Sequence, residues 1–311
     1  MKLSIVTTLY KSSEYVEEFY KRITKEAKKI TDDYEIIFVD DGSPDDSLQK
    51  CITLHQQDQK VTVVELSRNF GHHKAIMTGL SHTQGDYVFL IDVDLEEEPE
   101  LLGKFWEELQ NSEDLDVVYG VQESRRGGWF EKFSGELFYK IFNSLSSISI
   151  PKNLLTIRLL TKKAKDAIVS YNERELCLGC IFTDIGFNQK SIKVNKTDGS
   201  ITTYSLRNKL SLFFNSIVSF SDKPLIIIFS IGTLATFISS IYVVKIIITK
   251  LIYDIQVDGW ASMLVSIWFF GGLTIMTLGI IGIYISKIFK EVKLRPFTLI
   301  KKIYDEREDN E

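Results

Sequence analysis

The chain has 311 residues and 44% hydrophobic content, unevenly spread: the first 200 residues have the mixed composition of a soluble fold, while residues 225–290 are almost all apolar. A formal net charge of −5 leaves no electrostatic footprint for nucleic acid, which is not expected as a partner. The cysteines Cys51, Cys177 and Cys180 do not suggest a disulfide framework and fit a reducing compartment; the single C-x-x-C lacks two further ligands at zinc spacing and reads as incidental.

Residues 3–9 read as a first strand. They follow Met1 and Lys2 directly, with no signal-peptide pattern, so the first domain is expected in the cytoplasm. Ser13 is the N-cap candidate for a helix over 14–30, where Tyr15, Val16, Phe19, Tyr20, Ile23 and Ala27 recur at helical spacing. Residues 34–39 form a second apolar strand, ending in an acidic, cap-rich turn over 40–47 that leads into a helix over 47–56. Residues 61–66 make a third strand. The polar loop from Arg68 to Lys74 runs into a helix through Leu80. A fourth strand over 85–91 ends in Asp92-Val93-Asp94.

Strands alternating with helices predict a parallel sheet, and open parallel sheets bind ligands at the carboxyl ends of their strands. Alternate residues share a face, so Asp92 and Asp94 can reach one hard divalent cation, and a cation there can hold a diphosphate. The plainer reading is an acidic strand-to-loop turn. A second acidic strand end, Asp40-Asp41, favours a site. The chain lacks a G-x-G-x-x-G after its first strand and a G-x-x-x-x-G-K-S/T anywhere, which argues against dinucleotide dehydrogenases and P-loop ATPases.

Val39-Asp40-Asp41-Gly42-Ser43, Arg68-Asn69-Phe70-Gly71-His72, and Gly85-Asp86 through Asp92-Val93-Asp94-Leu95 with Pro99-Glu100 together resemble family 2 glycosyltransferases. The closest branch is the polyisoprenyl-phosphate glycosyltransferases, such as bactoprenol glucosyltransferases and dolichol-phosphate mannose synthase-like enzymes. The resemblance continues through Val118-Tyr119-Gly120-Val121, Arg125-Arg126-Gly127 and Phe138-Tyr139 into the C-terminal apolar segments. It implies an α/β, GT-A (Rossmann-like) mostly parallel sheet domain followed by a C-terminal two-helix transmembrane hairpin. It also implies that Asp92 and Asp94 grip a nucleotide-sugar diphosphate through Mg²⁺ or Mn²⁺. Thr7, Tyr10, Asp40, Asp41, Arg68 and Lys74 fall where the family lines its nucleotide pocket.

Two departures stand out. The Gln-Asp-Pro-Pro run common after the acidic pair is here Glu96-Glu97-Glu98-Pro99, whose acids either contact sugar and the metal's water shell or face solvent. The Asp-Phe-Arg-Leu motif, whose Asp is the family's candidate base, is here Thr156-Ile157-Arg158-Leu159. A phosphate monoester has a second pKa of about 6 and needs no strong base, so a lipid-phosphate acceptor tolerates this loss. A hydroxyl acceptor needs another acid, for which Glu173, Glu175 and Asp184 are candidates. Arg125, Arg126 and Arg158 are candidates for acceptor phosphate, since a guanidinium donates in a bidentate fork; for the Arg pair the alternative is a solvated turn.

Residues 225–244 and 261–286 carry no charge, and each is long enough to cross a hydrocarbon core of about 30 Å. Arg207, Lys209 and Lys223 lie before the two runs and Lys287, Lys290, Lys293, Arg295, Lys301 and Lys302 after them, while the intervening loop sets Lys250 against Asp254 and Asp258, and Lys245, near the outer end of the first run, can snorkel. The positive-inside rule puts both flanks in the cytoplasm. The expected organisation is a cytoplasmic catalytic domain over 1–204, an amphipathic juxtamembrane helix over 205–223, two transmembrane helices near 225–248 and 261–286 within 224–290, and a cytoplasmic tail over 291–311. The expected activity is inverting transfer of a sugar from a nucleotide-diphosphate donor to a polyprenyl phosphate at the bacterial plasma membrane, for surface polysaccharide, by a chain that can form a homo-oligomer. The rival activities are transfer to a hydroxyl of a lipid-linked glycan and, from another class, a non-catalytic membrane scaffold.

Overall fold

The computed structural model describes residues 1–122, 151, 153–174, 176–195, 223–253 and 259–305. They fall into two compact units: one holds the described residues up to 195 together with 295–305, the other those of 223–294.

In the first unit, β1 (Leu3–Leu9) is buried along its whole length. Helix α1 (Val16–Ile30) turns Val16, Phe19, Ile23 and Ala27 inward. It starts later than Ser13 predicts, with Tyr15 at the N-cap and no side-chain cap, and Ser13 instead ties the preceding turn to the β2–α2 loop by donating its N–H to Asp45 Oδ2 (3.1 Å). There follow β2 (Tyr34–Asp40), α2 (Ser47–Gln57), β3 (Val61–Leu66), α3 (His72–Ser81) and β4 (Tyr87–Leu90). Beyond them come α4 (Leu101–Gln110), β5 (Val117–Gln122), β6 (Leu154–Thr161), α5 (Lys162–Val169), α6 (Leu178–Asp184), β7 (Gln189–Val194) and β8 (Ile300–Tyr304).

Among the described residues the sheet runs β7-β5-β6-β4-β1-β2-β3-β8. Strands β1 to β4 are mutually parallel, as the alternation of elements predicts, while β6 and β8 run antiparallel to their neighbours. The chain winds from β1 through β2 to β3, then α3 carries it back across to β4 on the other side of β1. Strand order therefore reverses between β1 and β4, and a crevice opens at their carboxyl ends. Apolar cores flank the sheet: Phe19, Phe38, Phe89 and Phe105 on the side of α1 and α4, and Val6, Val39, Ile76 and Leu80 on the side of α3.

The expected tail contains a strand. β8 pairs with β3, and Leu299 accepts the Ser67 N–H (2.8 Å). Glu65 of β3 is only 7% exposed; it pairs with Lys301 Nζ (2.6 Å) and accepts from the Tyr304 hydroxyl (3.3 Å). The sequence Ile300-Lys301-Lys302-Ile303-Tyr304 hides this because lysines are what a protected edge strand displays.

The second unit consists of α7 (Lys223–Tyr253) and α8 (Trp260–Val292). Within α8, Ser266–Val292 is long and apolar enough to cross a membrane; the apolar stretch found in α7 among the described residues is the shorter Leu225–Ala235. The expected juxtamembrane helix over 205–223 falls almost wholly outside the described residues.

Deleting residues 299–311 bares the β3 edge and strips buried Glu65 of its cation. Thermal unfolding of the detergent-purified protein is expected to show a midpoint lowered by roughly 5 °C or more, since about 1 kcal/mol corresponds to some 2–4 °C at this size. An unchanged midpoint would mean that β8 adds nothing to the sheet.

Candidate active site

A cleft of about 790 Å³ opens at the carboxyl ends of β1, β2 and β4. Its wall is built from the turn that ends β2. Asp41 is 3% exposed, and its two oxygens accept the N–H groups of Phe70 (2.7 Å) and Gly71 (2.9 Å). Burial raises the pKa of this carboxyl, and the two N–H donors pull against that rise. Gly42 (φ +66°) lets the Arg68–Asn69 backbone come close: a Cβ there would lie 2.6 Å from the Asn69 nitrogen. Loop 68–71 is thus pinned to β2, and α3 starts from it at His72.

Two non-glycine residues with left-handed backbones line the cleft, Lys11 (φ +57°) and Leu95 (φ +59°). Lys11 is held by Ser43, whose Oγ accepts its N–H (3.1 Å). Leu95 follows Asp94, whose Oδ1 accepts the Glu96 N–H (3.0 Å) in a local turn. Such strain clusters at functional sites. Opposite them, His72 Nε2 lies 3.5 Å from Asp92 Oδ1, and its Nδ1 lies 3.1 Å from Thr8 Oγ1.

Of the residues singled out from sequence, Asp92, Asp94, Asp41 and Tyr10 line this one cleft, with Tyr10 48% exposed at its mouth. Asp40 is buried behind it and accepts the Ser43 N–H (3.3 Å). Thr7 does not line it; the side chain is fully buried on the opposite face of β1, and its neighbour Thr8 faces the cleft. Arg68 lies over the Phe70 ring and donates to the Asn69 carbonyl, and neither it nor Lys74 is among the lining residues. Glu96 lines the cleft, Glu97 is buried and Glu98 faces solvent.

Asp184 accepts from the Tyr171 hydroxyl (2.8 Å) on an exposed surface, away from the cleft lining. The expectation that Arg158 meets an acceptor phosphate is corrected. Its side chain is 1% exposed, donates to the Leu155 and Thr156 carbonyls and stacks on the Phe182 ring, so it is spent in the core. Full burial pulls its pKa well below the ordinary guanidinium value. Glu175, Arg125 and Arg126 lie outside the described residues. Cys177 and Cys180 are free thiols. The sequence reading missed Thr8, Lys11 and His72 as lining residues.

The model of the family described as glycosyl transferase family 2 matches residues 4–177, more than half of the chain. The chain belongs to glycosyl transferase family 2. A protein of Mycobacterium tuberculosis, named only at the level of glycosyltransferases, is 47% identical over 304 residues, covering 98% of this chain and 89% of the relative. A bactoprenol glucosyl transferase of Shigella phage SfX is 32% identical over 303 residues, covering 97% of this chain and 99% of the relative. Among solved structures, glucosyl-3-phosphoglycerate synthase from Mycobacterium tuberculosis, in complex with Mn²⁺, uridine-diphosphate-glucose and phosphoglyceric acid, aligns at 16% identity and a TM-score of 0.48, covering 70% of this chain and 77% of that one.

The residues of this glycosyltransferase fit a divalent cation held jointly with its substrate. Among the described residues no group of three His, Cys, Asp or Glu side chains forms a closed metal site. Asp92 and Asp94 supply two hard oxygen donors in an open cleft, and Mg²⁺ or Mn²⁺ commonly takes one or two carboxylates and completes its shell with phosphate oxygens and water.

The Gly42→Ala variant of the glycosyltransferase forces a Cβ against the loop backbone at a left-handed φ. The expected cost is about 1–3 kcal/mol, read as a lowered unfolding midpoint. A wild-type midpoint would show that loop 68–71 does not depend on this close approach.

Proposed function

We propose that this glycosyltransferase moves a sugar from a nucleoside diphosphate to a polyprenyl phosphate at the cytoplasmic face of a bacterial plasma membrane, as a step in building or modifying surface polysaccharide. The observation that carries the reading is the meeting of Asp92 and Asp94 with Tyr10 in one cleft at the β1–β4 switch point. Full-length similarity to a protein named bactoprenol glucosyl transferase supports the lipid acceptor.

In this reading Asp92 and Asp94 would hold Mg²⁺ or Mn²⁺ where the donor diphosphate binds. When bound, the cation neutralises charge that builds on the leaving group. Tyr10 borders the nucleotide at the mouth of the cleft, and the Asp41 clamp keeps Asn69 and Gly71 in place along its wall. An oxygen of the acceptor phosphate attacks the anomeric carbon as the bond from that carbon to the donor diphosphate breaks. The bonding pair leaves with the nucleoside diphosphate, and the anomeric configuration inverts.

The acceptor phosphate is mostly dianionic near neutral pH, with its second pKa at about 6, so no proton must be removed and Thr156 need not be an acid. The location of Asp184 away from the cleft favours this acceptor. Transfer to a glycan hydroxyl would instead call on Glu14 or Glu96, which line the cleft.

Both α7 and α8 cross the membrane in this reading. The helical unit is an excursion from the catalytic sheet: the chain leaves after β7 and returns to place β8 beside β3. A chain that starts and ends in one soluble sheet makes an even number of crossings. The lysines and arginine at 287–302 support a cytoplasmic sheet under the positive-inside rule.

Membranes containing the protein are expected to transfer label from one of a panel of radiolabelled nucleotide sugars into a mild-acid-labile lipid. Asp94→Asn is expected to reduce that transfer at least ~100-fold, because the cation's charge stabilisation amounts to several kcal/mol. Label appearing only in a longer lipid-linked glycan would overturn the acceptor, and undiminished transfer by the variant would overturn the metal role.

Topology is checked separately. In intact cells a membrane-impermeant maleimide is expected to label Gln256→Cys but to reach Lys302→Cys only after permeabilisation. The reverse pattern would invert the orientation.

A further inference from the structure

We infer that His72 is a positioning residue, held by Thr8, that orients the Asp92 carboxylate toward the donor's cation. The inference rests on the metal-dependent reading above and adds to it a line of contacts joining three separate parts of the fold. Thr8 lies near the carboxyl end of β1, His72 is the first residue of α3, and Asp92 lies two residues beyond β4. Thr8 Oγ1 is 3.1 Å from His72 Nδ1, and His72 Nε2 is 3.5 Å from Asp92 Oδ1. All three side chains border the same cleft.

The direction of these contacts follows from what each group can do. A carboxylate only accepts, so an imidazole 3.5 Å away interacts favourably with Asp92 when Nε2 carries the proton. With the imidazole neutral, as the positive end of a helix favours, Nδ1 is bare and takes the Thr8 hydroxyl proton. The backbone beneath His72 is fixed too, because the Asp41 clamp ends at Gly71, the N-cap of α3. The imidazole is therefore set from both sides, and a carboxylate beside it loses rotational freedom. His72 acts through Asp92: among the described residues no three side chains are gathered into a metal site of their own. Outer-shell partners of this kind set metal affinity by about 10–100-fold.

The test uses the purified full-length chain and Mn²⁺ alone, with bound ion counted from the loss of the free Mn²⁺ electron paramagnetic resonance signal. His72→Ala and Thr8→Val are expected to weaken Mn²⁺ binding by roughly 10-fold or more. Thr8→Ser, which keeps the hydroxyl, is expected to bind as wild type does. His72→Gln, which keeps an N–H within reach of Asp92, is expected to bind better than His72→Ala. In transfer assays the metal half-saturation is expected to rise while the acceptor KM holds.

Wild-type binding by all four variants overturns the inference and leaves the proposed function standing, as does equal weakening by Thr8→Ser and Thr8→Val. A wild-type chain that takes up no Mn²⁺, either alone or with added inorganic pyrophosphate, overturns the metal grip itself, and this inference with it.

Discussion

The cleft depends on two backbone N–H groups that donate to one buried carboxylate. Asp41 sits where an unpaired charge would be costly, and the N–H groups of Phe70 and Gly71 meet both of its oxygens. The bonds form only because residue 42 has no Cβ, so that loop 68–71 can lie against the end of β2. From that fixed corner α3 has one starting point. Its buried residues Ala75 to Leu80 then pack on the sheet, and His72 comes to rest between Thr8 and Asp92. The Asp-Asp-Gly-Ser turn therefore has a structural task beside any contact with ligand: it places a second segment that carries part of the cleft.

Much of the parallel half of the sheet can be read from the sequence, because β1 to β4 are apolar runs bounded by turn residues and their parallel direction follows from the alternation with helices. The acidic pair is legible for the same reason, since residues two apart at a strand end share a face. What cannot be read is what topology alone brings together. His72 and Asp92 are separated by a helix and a strand, and nothing in Gly71-His72-His73 announces that one ring meets a carboxylate while the other faces the Leu176 carbonyl. Thr7 and Thr8 are chemically identical neighbours, so choosing between them requires the phase of the strand. Arg158 misleads differently. An arginine in a strand suggests a ligand contact, yet here its guanidinium is satisfied by two carbonyls and a phenyl face in the core.

The last strand changes how the apolar segment belongs to the chain. A helical pair at the end of a chain would be an appendage, removable without loss to the catalytic fold. Here the chain returns from the helical unit to complete the sheet, and Glu65 of β3 is neutralised by a lysine more than 200 residues away in sequence. The catalytic fold is thus finished only after the helices have been made. In this respect the apolar unit is an insertion into the glycosyltransferase domain, and β3 remains an open edge until residues 300–304 arrive.

Charge in the cleft bears on the cofactor independently of any motif. Glu14, Asp41, Asp92, Asp94 and Glu96 border it, against one lysine, Lys11. Asp41 is compensated by its two backbone donors, which leaves four carboxylates around a space where a nucleoside diphosphate would add further negative charge. Like charges a few ångströms apart repel by about 1 kcal/mol in water and by more in a partly enclosed site. Among the described residues the one lysine, Lys11, cannot offset that sum. In the proposed function a divalent cation held by Asp92 and Asp94 would cancel two of these charges where the donor binds, so that the pair that would repel the free donor would instead attract the metal-bound one. On that reading, a pocket whose charged lining is mostly acidic among the described residues can still accept a phosphate ligand.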